Sequence, residues 1–153
     1  MAPAPSFEHQ SISQRIAGEL YNALKNCKQC QAQLPVDWQI TEETVVQPDN
    51  MVICKNVDTS KKLTQTPSII FEILSHSTAS KDRNIKYTLY ESAGVSYYVI
   101  VSPFSHTAEI YQLHNGTYRL EKEVEDKTFS FQLKLCSFQI DFSTILGPKS
   151  SRI

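Results

Sequence analysis

The sequence predicts an α+β protein: one mixed β-sheet with helices packed against it. Three observations carry this reading. A helical apolar pattern lies near the N-terminus. Two apolar runs of strand length, residues 69–74 (IIFEIL) and 97–102 (YYVIVS), flank a second helical pattern. Several strand-like segments, broken by turn residues, follow toward the C-terminus.

The elements follow in order. Ile12, Ile16, Leu20, Ala23 and Leu24 recur at helical spacing, which predicts a helix over residues 11–26 capped by Ser11 or Ser13. Residues 36–41 alternate weakly and fit a strand, residues 44–46 lead into Pro48, and residues 51–54 form a short apolar strand. Residues 55–66 are polar and read as a loop. Residues 69–74 fit a strand covered on both faces. A turn rich in capping residues, 75–80, opens a helix over residues 79–92, and Gly94 stands where a left-handed cap is common. Pro103 closes the strand at 97–102. Asn115-Gly116 is a strong hairpin signal between strands at 107–113 and 117–124. The same residues with Thr117 form a glycosylation sequon, but for a cytoplasmic chain the turn is the better meaning. Residues 128–135 and 138–142 supply further strands. The result is an αβββαβ core with C-terminal antiparallel strands.

At 153 residues the chain can bury one core, and neither a repeat nor a linker divides it. It reads as one domain over 1–153, with a core of about residues 7–146 and short ragged ends. No apolar run reaches the ~18 residues of a membrane span, and residues 1–6 lack the pattern of a signal peptide, so a cytoplasmic protein is expected. Cys27, Cys30, Cys54 and Cys136 would then be reduced. Cys27 and Cys30 form a CxxC, but neither of the other two has a partner at ligand spacing, so all four read as ordinary thiols. A net charge of −1 argues against binding nucleic acid over the whole surface. Residues 51–90 nevertheless carry six basic against three acidic side chains, whereas residues 121–126 are strongly acidic.

Two carboxylates look out of place. Glu72 sits inside an apolar strand, where a charge is costly unless paired or metal-bound. Alternation puts Ile70, Glu72 and Leu74 on one face and Ile69, Phe71 and Ile73 on the other. Asp49 follows Pro48 where one strand ends and the next begins. Each has an ordinary reading, Glu72 as a rim or ion-paired residue and Asp49 as a turn former. Together they could converge on a hard divalent cation. On the following helix, Ile85, Leu89, Ala93 and Tyr90 mark an apolar arc that contains Asp82 and Lys86, while Arg83, Tyr87 and Glu91 point elsewhere. Lys86 either pairs with Asp82 and snorkels outward or reaches over the Glu72 strand into a shared site. In the second case Asp49 and Glu72 are metal ligands, and Lys86 orients or deprotonates a water or stabilises developing charge. Phosphodiester hydrolysis could use those three groups.

The run PSIIFEILSHSTASKDRNIKYTLYESAGVSYYVIVSP, residues 67–103, resembles the signature of the Uma-type restriction-endonuclease-like family of the PD-(D/E)XK nuclease superfamily. Pro48-Asp49, the opening EHQSI and the ending CSFQIDFSTIL also fit, so the resemblance spans about residues 7–146. It implies a mixed sheet flanked by helices, a divalent ion such as Mg²⁺ (or Mn²⁺) as cofactor, DNA as substrate and often a homodimer, and the lack of an apolar span predicts no membrane partner. The superfamily's usual lysine position, two residues after the acid, is Leu74 here. The family's displaced lysine corresponds to Lys86, so the resemblance implies Asp49, Glu72 and Lys86 as catalytic residues. The sequence departs from the family at His76, which replaces a proline, and at Ser102, which replaces an aspartate. His76 reads as a loop residue or a substrate contact. Glu19, at the edge of the first helix's apolar face, is not expected to be an added ligand. The expected function is therefore a metal-dependent endodeoxyribonuclease. The alternatives are a catalytically silent binding module on the same fold and a hydrolase of RNA or small phosphodiesters.

Overall fold

The structure, a computed structural model, describes residues 4–75 and 79–148, without the side chains of residues 79–82. His76 and the Asp82 side chain therefore lie outside the described residues. Helix α1 (Phe7–Ala23) is followed by β1 (Cys30–Gln33), β2 (Trp38–Gln39), β3 (Val45–Val46), β4 (Asn50–Cys54) and β5 (Ile69–Ile73). Next come helix α2 (Ala79–Ala93), β6 (Tyr97–Ser102), β7 (Thr107–His114), β8 (Thr117–Val124), β9 (Thr128–Gln132), β10 (Ser137–Asp141) and helix α3 (Phe142–Leu146).

Six strands form the central sheet in the order β1-β4-β5-β6-β7-β8. Only β5 and β6 pair in parallel, and α2 makes the crossover between them. The other neighbours are antiparallel. β5 and the first five residues of β6 are buried, as expected for strands covered on both faces. One face packs Ile69, Phe71, Val99 and Val101 against Ile12, Ile16 and Leu20 of α1, with Phe131, Phe138, Phe142 and Ile145 from the C-terminal segment. The other packs Met51, Ile70, Tyr98 and Ile100 against Trp38 and Tyr90. The Asn115-Gly116 turn is present, with φ of 52° and 83° at the two residues, the left-handed pair such a turn requires.

The structure corrects the sequence reading at several points. α1 begins at Phe7 because Ser6, not Ser11 or Ser13, is the N-cap and accepts from the His9 amide at 3.0 Å. Strand β1 occupies residues to which the sequence pattern assigns no element. The segment at 138–142 stops one residue earlier because Asp141 caps α3, whose apolar FSTIL is too short to show helical periodicity. On α2, Ile85 is 55% exposed, whereas Tyr87 packs on the core. Tyr87 lies edge-on to both Tyr111 and Tyr118 and donates to the Tyr118 carbonyl, so its ring is half-buried while its hydroxyl stays bonded. The four cysteines are disulfide-bonded rather than reduced thiols: Cys27 to Cys136 and Cys30 to Cys54. Pairing across 109 residues cannot be seen in local spacing.

Candidate active site

The site forms where β4 begins, β5 ends and the N-terminal turn of α1 meets them. In the antiparallel β4–β5 ladder Asn50 stands opposite Phe71, so Asp49 faces Glu72 one step further on. The Asp49 amide donates to Glu72 Oε1 at 3.2 Å, and Asp49 Oδ2 accepts from the Ile73 amide at 2.8 Å. Each acid is thus held by the other's strand. Glu72 points to the α2 face, as alternation predicts, and is 4% exposed.

Helix α2 supplies two groups to the same carboxylate. Lys86 Nζ lies 3.1 Å from Glu72 Oε2, and Tyr90 donates its hydroxyl to that oxygen at 2.6 Å. Residues four apart on a helix share a face, so one anchored turn delivers both. Lys86 is still 29% exposed, so its charge reaches water while its stem covers the strand end. Helix α1 adds His9, whose Nε2 is 3.2 Å from Asp49 Oδ1. A buried pair of bonds fixes that helix beside β4: Ser13 Oγ donates to Asn50 Oδ1 at 3.0 Å, and Asn50 Nδ2 donates to the Ser13 carbonyl at 3.2 Å.

The electrostatics separate the two acids. Burial pushes Glu72 up to about 7, with the Asp49 charge adding to the rise and Lys86 and Tyr90 opposing it. Burial also works against Asp49, but the His9 hydrogen bond and the Ile73 amide outweigh it and hold Asp49 below the usual carboxylate range. The bond to Asp49 in turn raises His9. Two adjacent carboxylates in a poorly solvated position, one of them resisting ionisation chiefly because it is buried and further because of the other's charge, are what a cation would relieve. The donors are all oxygen, which suits Mg²⁺ or Mn²⁺.

The three residues singled out in the sequence therefore lie together. Glu19 does not join them; it accepts from the Asp141 amide at 3.3 Å, far along α1 from His9. The basic excess of residues 51–90 is divided. Lys55, Lys61 and Lys62 follow the far end of β4, about 17 Å along the strand from Asp49 at ~3.3 Å per residue. Arg83 is paired with Glu109. Sequence reasoning missed His9 and the polar role of Tyr90. His9 continues the stripe Ser13, Ile16, Leu20 by one turn, a signal lost when the helix is started at Ser11.

A family model described as "Uma2: Putative restriction endonuclease" matches residues 1–142. The chain belongs to the Uma2 family. Its Uma-type resemblance, carried by residues 67–103, thus extends over most of the sequence. The Uma2 fold here matches the crystal structure of a protein of Anabaena variabilis described as a putative nuclease of DUF820, with a TM-score of 0.74 at 12% identity, over 94% of this chain and 83% of that one. A protein of Synechocystis sp. described as uncharacterized is 34% identical over 79 residues, which are 49% of this chain and 45% of that protein. Among the described residues no helix is long and apolar enough to cross a membrane.

Proposed function

We propose that this Uma2 chain is a divalent-metal-dependent nuclease that hydrolyses DNA phosphodiester bonds at Asp49, Glu72 and Lys86. The observation that carries the proposal is the convergence of two carboxylates from adjacent strands with an ammonium from the next helix, Lys86 Nζ standing 3.1 Å from Glu72. Asp49 and Glu72 would hold Mg²⁺ or Mn²⁺, which supplies Lewis acidity toward a phosphoryl oxygen and acidifies its bound water.

The chain's own residues have separable tasks. Asp49 stays ionised at neutral pH because His9 and the Ile73 amide donate to it, so it is ready to act as a ligand. Glu72 gives up its proton less readily, and Lys86 and Tyr90 favour its charged form. Lys86 stands at the rim, where its ammonium can orient the attacking water and stabilise negative charge growing on the phosphoryl oxygens. The small chain presents little surface to a duplex, and a second copy would supply the second cut of a double-strand break.

The test is cleavage of plasmid, single-stranded DNA and RNA with Mg²⁺ or Mn²⁺, run on the wild type beside Asp49→Ala and Lys86→Ala. Metal-dependent cleavage of DNA by the wild type is expected, with losses of about 10²-fold or more in either variant. Cleavage that survives Asp49→Ala places the chemistry elsewhere. Preference for RNA would reassign the substrate, and binding without cleavage would leave only a recognition module.

A further inference from the structure

The four cysteines form a second cluster, away from the carboxylates. Cys27 lies in the turn after α1, where its amide bonds to the Leu24 carbonyl, and Cys30 opens β1. Cys54 closes β4 directly across the ladder from Cys30. Cys136 lies in the turn between β9 and β10. The sulfurs pair as Cys27–Cys136 and Cys30–Cys54, with Cα separations of 6.1 and 4.0 Å. The decisive observation is that Cys27, Cys30 and Cys136, drawn from both pairs, have sulfurs within 4.8 Å of one another. Two independent cross-links have no reason to abut. Thiolates that share one tetrahedral ion must, with S···S edges of about 3.8 Å for Zn–S bonds of about 2.3 Å.

We propose that in the reduced chain Cys27, Cys30 and Cys136 bind a structural Zn²⁺, with Cys54, outside that sulfur group but across the ladder from Cys30, turning in as the fourth ligand once its bond to Cys30 is opened. A thiol or phosphine reductant first opens the two disulfides, supplying four electrons and four protons in all; each thiol then releases its proton to solvent on coordination, a step with no change of oxidation state. An all-sulfur set selects zinc over the hard ions suited to Asp49 and Glu72, so the two sites sort their metals by donor chemistry. Cys30 and Cys54 are buried, which suits a closed structural site. A surface cleft lined by Asn26, Lys28 and Leu135 reaches Cys27 and Cys136 and gives the ion a way in. A zinc tetrathiolate carries excess negative charge, which Lys28 on that cleft offsets. The ion would tie the end of α1 to the β1–β4 edge and to the β9–β10 turn.

The test is metal analysis of the full chain purified under reductant from zinc-containing medium. About one zinc per chain is expected. It should persist in Asp49→Ala/Glu72→Ala and be lost in Cys27→Ser/Cys136→Ser. Cobalt substitution of the reduced wild type reads the ligands without any mutation, and sulfur-to-cobalt charge transfer with tetrahedral ligand-field bands is expected. A fully reduced wild type that takes up neither zinc nor thiolate-bound cobalt overturns the proposal. So does zinc that leaves with the two carboxylates instead of the cysteines.

Discussion

Replacing Glu72 by glutamine removes the buried charge while keeping its shape, and the structure fixes how stability should respond. The Glu72 carboxyl is raised from 4.5 to about 7, chiefly by burial. Between those values the folded chain holds a proton that the unfolded chain releases. The associated stability is therefore fully present below about pH 4.5 and is lost as pH rises through about 7. A rise of about 2.5 units at about 1.4 kcal/mol each amounts to about 3 kcal/mol. Glutamine has no proton to lose, and in acid the variant differs from the wild type only by the exchange of one acceptor oxygen for an amide nitrogen. The difference between the two should therefore stay constant in acid and move in the variant's favour as pH rises. At roughly 2–4 °C per kcal/mol for a chain of this size, Glu72→Gln should gain about 6–12 °C on the wild type between pH 4 and pH 8. The assay is a series of thermal melts across pH with chelator present, so that no ion occupies the carboxylates. Melting curves that shift in parallel at every pH would refute the claim that burial of this carboxylate sets its ionisation.

Three further perturbations bear on the same region. Tyr90→Phe deletes a hydrogen bond that favours ionised Glu72, so the acid limb of the pH–rate profile should move up by about one unit; an unmoved or lowered limb would dissociate the phenol from the carboxylate. His9→Ala removes the hydrogen bond that most lowers Asp49, so cleavage should require more Mg²⁺, more markedly at pH 6 than at pH 8. Identical Mg²⁺ titrations for variant and wild type would count against that role. Ser13→Ala leaves the buried Asn50 carbonyl oxygen without its donor and should cost about 1–3 kcal/mol in denaturant unfolding, with the m-value unchanged; a loss below a few tenths would show that the pair does not anchor α1.

What could be read in the sequence depended on whether polarity and packing agreed locally. Glu72 stood out because a charge within IIFEIL contradicts its own strand. Lys86 stood out because it shared an arc with residues that should be buried. The same arc misled at Ile85 and Tyr87, because hydropathy ranks isoleucine inside and leaves tyrosine undecided, whereas the neighbouring rings of Tyr111 and Tyr118 decided it here. The cysteines were unreadable for another reason: their ligand spacing exists only after β1 pairs with β4 and the β9–β10 turn reaches the end of α1.

The site itself depends most on something no local pattern states, the register between β4 and β5. With Asn50 opposite Phe71, Asp49 faces Glu72, and each acid meets a backbone amide of the other's strand. A slip of one residue would turn Glu72 from Lys86 and Tyr90 toward the face where Ile12, Ile16 and Leu20 pack. That arrangement buries a carboxylate among aliphatic side chains with no cation beside it, at a cost of several kcal/mol. The carboxylate that marks the candidate site therefore also selects the register that builds it. A chain with Glu72 replaced by leucine would lose that selection along with the charge.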